Sequence, residues 1–163
     1  MLKTKRLILR GARPGDLMDL HAIFSDPRAM RYWSTPPHKT PGKTQENLDR
    51  LIANSRERVT YFVIDMDGRA IGTAGMHRAD EVGFLLHPDH WRTGIVTEAM
   101  NAIIPYLFAV TDHKKLTAEA DPRNAASVAL LQSLGFRETH RAERTFCING
   151  EWSDSVYFAL PRP

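Results

Sequence analysis

The stretch that most constrains this chain runs from Glu81 to Ala120. EVGFLLHP (Glu81–Pro88) reads as an apolar strand stopped by proline, and KLTAEA (Lys115–Ala120) reads as a second, shorter strand. Between them a helical pattern starts at Gly94 and continues through Ala99, Ile103, Ile104 and Leu107. A strand, a helix and a strand in that order place the two strands side by side and parallel, because the helix carries the chain back to its starting edge. The fold therefore needs a sheet with a helix packed on at least one face.

The rest of the chain extends that sheet. RLILRGA (Arg6–Ala12) alternates polar and apolar residues as a strand does. Pro14 then opens a helix with Leu17, Leu20, Ile23 and Phe24 on its apolar stripe. STPPHKTPGKT (Ser34–Thr44), dense in Pro and Thr, is expected to be a loop, and Leu48, Leu51 and Ile52 mark the next helix. YFVIDMDG and RAIGTAGMH form a hairpin through Asp67-Gly68. DPRNAASVALLQSLGF is an Asn-led helix closed by Gly135, and the tail gives two strands around Asn149-Gly150. The expectation is one α/β (α+β) domain over residues 1–163, with seven strands in a mixed sheet and four helices on its faces.

Composition removes several classes. Of 163 residues, 42% are hydrophobic and 25% charged, which supports a core without staples. The formal charge of +3 is spread without a basic run, so nucleic-acid binding has little support. Cys147 is the only cysteine, which excludes an intrachain disulfide and a thiolate metal cluster. It is expected to be a small packing residue beside a hairpin. The seven histidines show no metal-ligand spacing, so no metal is expected. With no apolar run of about 20 residues and no signal-peptide pattern, a cytoplasmic protein without membrane contact is expected.

Two segments carry chemistry. In EVGFLLHPDHWRTGIVTEAM a strand passes through a short turn into a helix whose first-turn N–H groups and dipole favour an anion. Gly94 lets a phosphate approach the backbone, and Arg92 adds a cation. The ordinary alternative is a turn capped by Thr93. It is neither a P-loop nor a dinucleotide fingerprint. In DPRNAASVALLQSLGF, Asn124 and Ser127 lie at a helix start, where the plain reading is an N-cap and a first-turn serine.

In this order, the two segments and the strand NGEWSDSVYFAL resemble the GCN5-related N-acetyltransferase (GNAT) superfamily, particularly its ribosomal-protein N-terminal acetyltransferase branch. The resemblance covers nearly the whole chain. It implies a mostly antiparallel sheet with a splayed parallel pair at about 81–87 and 115–120, and acetyl-coenzyme A as co-substrate in the wedge. The pantetheine arm would pair with backbone at Leu85, Leu86 and His87, and the loop from Trp91 through Arg92, Thr93, Gly94, Ile95, Val96 and Thr97 would take the pyrophosphate. Asn124 would bond the pantetheine arm, and Ser127 would lie near the sulfur to protonate the departing thiolate. Val96 departs from the family loop Q/R-x-x-G-x-G/A. Its branched side chain is expected to weaken coenzyme A binding, or to mark a shifted loop or a non-catalytic relative.

The implied reaction is direct attack of a primary amine on the thioester, with the backbone N–H near Leu86 serving the oxyanion. Strand alternation turns Glu81 toward the acceptor side as the candidate base, against a solvated carboxylate as the alternative. Glu119 and Glu143 are weaker candidates, and Tyr32 and Trp33 are candidate acceptor-site linings. The acceptor is a protein N-terminus or a small-molecule amine, and the protein a monomer or homodimer. The competing readings are a coenzyme A-binding module without turnover and a nucleotide- or nucleic-acid-binding domain.

Overall fold

A computed structural model describes residues 1–163. The strands are β1 (Leu2–Lys3), β2 (Ile8–Arg10), β3 (Tyr61–Met66), β4 (Arg69–Arg78), β5 (Glu81–Leu86), β6 (Lys115–Ala120), β7 (Arg137–Ile148) and β8 (Glu151–Pro161). The helices are α1 (Leu17–Phe24), α2 (Pro41–Asn54), α3 (Ile95–Val110) and α4 (Ala125–Ser133). One eight-stranded sheet runs in the order β1-β2-β3-β4-β5-β6-β8-β7, and β5–β6 is its one parallel pair.

The sheet has one strand more than the seven expected. The extra strand is β1, whose two residues pair with Ile8 and Leu9. Two residues are too few to show alternation. The loop expected over Ser34–Thr44 ends early. Thr40 accepts a hydrogen bond from the Lys43 N–H, Pro41 takes the first helical position, and α2 starts there. The hairpin turns hold as read, with Asp67-Gly68 and Asn149-Gly150 both at positive φ.

Two apolar layers flank the sheet. The larger core packs α3 residues Ala99, Met100, Ile103 and Leu107 against Phe62, Ile64, Val82, Leu86, Leu116 and Phe158. The smaller core joins Leu20, Ile23 and Phe24 of α1 and Leu48 of α2 to Val63, Ala70 and Leu85. Leu85 and Leu86 thus enter opposite cores, as strand alternation requires. Each fully buried Leu contributes on the order of 2 kcal/mol, so β5 is fixed from both faces. Arg10 of β2 holds two buried carboxylates, Asp16 just before α1 at 2.8 Å and Asp65 of β3 at 2.7 Å. Cys147 is exposed on β7, which overturns its reading as a packing residue.

Candidate active site

The β5–β6 ladder stops early. Glu81 pairs with Thr117 and Val82 with Ala118, and no further pairs follow although both strands continue. The strands diverge from Gly83 onward, leaving a wedge. The backbone phase of β5 decides which groups face it. The Thr117 N–H donates to the Asp80 carbonyl toward β6, and the His87 N–H donates to the Ile71 carbonyl toward β4. Even-numbered residues of β5 therefore face the wedge and odd-numbered ones face β4. Phe84 and Leu86 present their amides to the gap. Leu85 does not, and both backbone groups of His87 are engaged, the N–H by Ile71 and the carbonyl by His90. Of Leu85, Leu86 and His87, only Leu86 thus turns its backbone to the gap, beside Phe84. The Leu86 carbonyl already accepts from the Trp91 indole N–H at 3.0 Å, which ties the following loop to the strand.

That loop ends in an uncapped helix. Arg92 and Gly94 both adopt left-handed conformations, φ 60° and 74°, and α3 begins at Ile95 with Gly94 in the cap position. Gly94 has no side chain to cap with. Thr93 turns its hydroxyl back to the His90 carbonyl at 2.5 Å instead of capping the helix. The N–H groups of the first turn, from Ile95 to Thr97, have no partner within the helix and meet its positive end. The Arg6 guanidinium fixes the loop from outside, bonding the Thr93 carbonyl at 2.9 Å and Glu98 at 2.7 Å. Burial alone would raise the Glu98 carboxyl. The Thr4 hydroxyl and the Arg6 backbone N–H and guanidinium outweigh it and hold the group at about 2. Val96 is half-buried against the larger core, so its branched side chain is absorbed by packing.

Asn124 caps α4 as the plain reading has it, accepting from the Ser127 N–H at 3.2 Å. The cap uses only the amide oxygen. The Asn124 NH₂ and the Ser127 hydroxyl make no hydrogen bond within the chain, and both residues are half-buried. Capping and ligand binding are therefore compatible at this helix start.

A cleft of about 620 Å³ lies beside the closed end of the wedge. Glu81, Val82 and Gly83 of β5 and Glu119, Ala120 and Asp121 at the end of β6 form its floor. Tyr32 and Trp33 line it as expected, together with Arg50 and Asn54 of α2 and Ser153 to Ser155 of β8. Its lining includes neither Ser127 nor the loop from Trp91 to Thr97, so cleft and loop are separate compartments meeting at the wedge. Glu143 is exposed on β7 and lies outside the lining.

Glu81 faces this cleft inside a cluster that the sequence reading missed. Its carboxylate accepts from Arg78 at 3.1 and 3.2 Å and lies 3.3 Å from His77 Nε2. The His77 contact, opposed by burial and reinforced by Arg78, holds the Glu81 carboxyl below its usual range. Glu119 accepts a short hydrogen bond from Ser155 and lies 3.9 Å from Arg78. Arg123 bonds both Asp121 and Glu151 across the rim.

Residues 6–137 match the family model described as the acetyltransferase (GNAT) domain. The chain is 26% identical over 157 residues to spermidine N(1)-acetyltransferase of Vibrio cholerae, covering 93% of this chain and 90% of that one. It is also 26% identical over 176 residues to the [ribosomal protein uS5]-alanine N-acetyltransferase of Escherichia coli, covering 99% and 91%. A GNAT-family acetyltransferase structure from Bacillus anthracis superposes with a TM-score of 0.87 at 22% identity, covering 98% and 97%, which shows a shared fold. The chain belongs to the GNAT acetyltransferase family and is an acyltransferase.

Proposed function

We propose that residues 1–163 form one catalytic unit that binds acetyl-coenzyme A in the wedge and moves its acetyl group directly to a primary amine in the cleft. The observation that carries this reading is the early end of the β5–β6 ladder, with uncapped α3 amides beyond its open end and a polar cleft at its closed end. A thioester arm rich in amides behaves as a strand and pairs with the free edges of Phe84 and Leu86. Its diphosphate rests on the amides from Arg92 to Thr97, where two left-handed residues and a helix N-terminus converge. The Asn124 NH₂ donates to the arm.

In the reaction, the amine nitrogen bonds the thioester carbonyl carbon, the C–S bond breaks, and the thiolate leaves. Ser127 Oγ gives that thiolate its proton. Of the two N–H groups facing the arm, at Phe84 and Leu86, the one level with the thioester oxygen stabilises its growing charge. The walls of the wedge hold donor and acceptor at reacting distance.

The acceptor is a primary amine, either a polyamine or a protein N-terminus, the acceptors that the two relatives are named for. The deciding experiment measures free thiol released from acetyl-coenzyme A with spermidine, an alanine-terminated peptide and simple amines, beside coenzyme A calorimetry. Thiol release with one amine class and micromolar coenzyme A affinity is expected. Coenzyme A binding without release for any amine supports the non-catalytic binding module instead. Gly94→Pro forces φ near −65° where 74° is needed and removes an N–H. It is expected to weaken coenzyme A binding at least about tenfold, and an unchanged Kd means the phosphate site lies elsewhere.

A further inference from the structure

One group in the cleft has no role in the reaction as described so far. Along the β4–β5 pair, Gly75 faces Gly83 and Met76 faces Val82, but the next pair is Arg78 with Glu81. His77 is the extra residue of a β-bulge, a device that re-aims a side chain where a regular strand would not send it. The bulge sends the imidazole into the cleft, with its side chain 36% exposed. The ring lies over β5 at Gly83, where an added Cβ would stand 3.2 Å from Cδ2 and 3.3 Å from Nε2. Glycine at 83 makes the space the ring occupies. The ring of Tyr61 meets it edge-on at 6.0 Å.

We propose that His77 is the general base that removes the proton from the acceptor amine, and that Glu81 is its positioning residue. The inference rests on the acetyl-transfer reading. His77 Nε2 stands 3.3 Å from Glu81 Oε1, and the ring makes no other hydrogen bond with the chain. A carboxylate at that distance keeps the proton on Nε2 and leaves the Nδ1 lone pair for the substrate. As the amine nitrogen bonds the carbonyl carbon and the C–S bond breaks, the nitrogen's proton passes to Nδ1. The thiolate takes its proton from Ser127, which recovers one from solvent as the imidazolium returns its own to solvent. Gly83 marks the level where β5 leaves β6, so the ring sits at the closed end of the wedge.

Glu81 is less suited to the direct role. Its carboxylate is clasped by Arg78 and His77, which hold it ionised and engaged. Beside the ring stand Glu81 and Arg78 on its own hairpin, with Glu119 of β6 beyond Arg78, while Arg31, Arg50, Asp121, Arg123, Glu151 and Asp154 are the charged groups lining the rest of the cleft. Tyr61 is uncharged, since burial pushes its phenol up to about 12.

The test is the pH profile of kcat/KM for the full chain, His77→Gln and Glu81→Gln, using an amine that turns over. His77→Gln is expected to lose about 100-fold in kcat near pH 7 and to lose the acid limb of the wild type. Its rate would instead climb toward the amine's own pKa, with the acetyl-coenzyme A Kd and thermal midpoint unchanged. Glu81→Gln is expected to keep the acid limb at a lower kcat, since the ring loses the carboxylate that positions it. Loss of the limb in Glu81→Gln with its retention in His77→Gln overturns the assignment and makes Glu81 the base. An active His77→Gln enzyme with wild-type kcat and profile overturns the base alone, whereas a wild type that binds coenzyme A and acetylates nothing overturns the acetyl-transfer reading with it.

Discussion

Ser127→Ala separates chemistry from structure more cleanly than any other change at this site. The Ser127 hydroxyl bonds nothing in the chain, and the Asn124 cap uses the Ser127 backbone N–H, which alanine keeps. Removing the oxygen therefore breaks no protein hydrogen bond. The remaining effect is helix propensity, which favours alanine by about 0.5 kcal/mol or less. At this chain length that moves the melting midpoint by no more than about 2 °C. The catalytic effect differs by far more. A positioned acid contributes about 10²–10⁴ in rate, so kcat is expected to fall at least about 100-fold, equal to about 2.7 kcal/mol at the transition state. Acetyl-coenzyme A affinity should stay within about twofold, because the hydroxyl acts on the departing sulfur. Thiol-release kinetics at saturating donor and acceptor, read beside calorimetry and a thermal melt, decide the matter. A kcat within threefold of wild type removes Ser127 from the mechanism. A collapsed melting midpoint shows that the hydroxyl is structural and refutes the hydrogen-bond reasoning.

Three other substitutions test the surrounding geometry. Asn124→Ala removes both cap and ligand donor and is expected to cost about 1 kcal/mol of stability as well as coenzyme A affinity. Asn124→Asp keeps the cap and loses only the donor, so coenzyme A titration should show weak binding at an unchanged melting midpoint; wild-type affinity would deny the amide a ligand. Val96→Ala removes half-buried methyl groups from the larger core, worth about 1 kcal/mol, while the coenzyme A Kd stays within about twofold. A fivefold change in that Kd would place the side chain against the ligand. Glu98 ionises at about 2 in the fold, below its ordinary value near ~4.3. Its ion pair therefore stabilises fully above about pH 4.3 and is lost as pH falls through about 2. Glu98→Gln should lose about 1 kcal/mol at pH 7, given the half-exposed Arg6 partner, and its deficit against wild type should shrink in acid melts between those pH values.

What the sequence disclosed follows the range of each interaction. The parallel pair was legible because EVGFLL, one helix and KLTAEA are consecutive, and chain connectivity alone makes them parallel neighbours, whereas their splay came only from the family resemblance. The uncapped turn was half legible. Gly94 stood out, but the Thr93 hydroxyl turning back to His90 depends on backbone angles that no residue name shows. The phase of the free amides was not legible, because hydrogen bonds to Ile71 and Asp80 set it, and neither partner lies within β5. The brace from Arg6 to Glu98 spans 92 residues of sequence, beyond any local pattern. The bulge at His77 arises because Met76 and Arg78 find consecutive partners on β5 with one residue left over. Only pairing, which a single strand does not encode, reveals it.

The two-rung junction also sets the mechanics of the sheet. Five strands on one side and three on the other share only the ladder pairs Glu81–Thr117 and Val82–Ala118, so at this seam the two halves of the sheet are joined mainly by the core beneath α3. Whatever enters the wedge and bonds the free edge of β5 becomes part of the sheet's own framework. A donor that binds this edge only in the folded sheet would raise the protein's stability as its concentration rises.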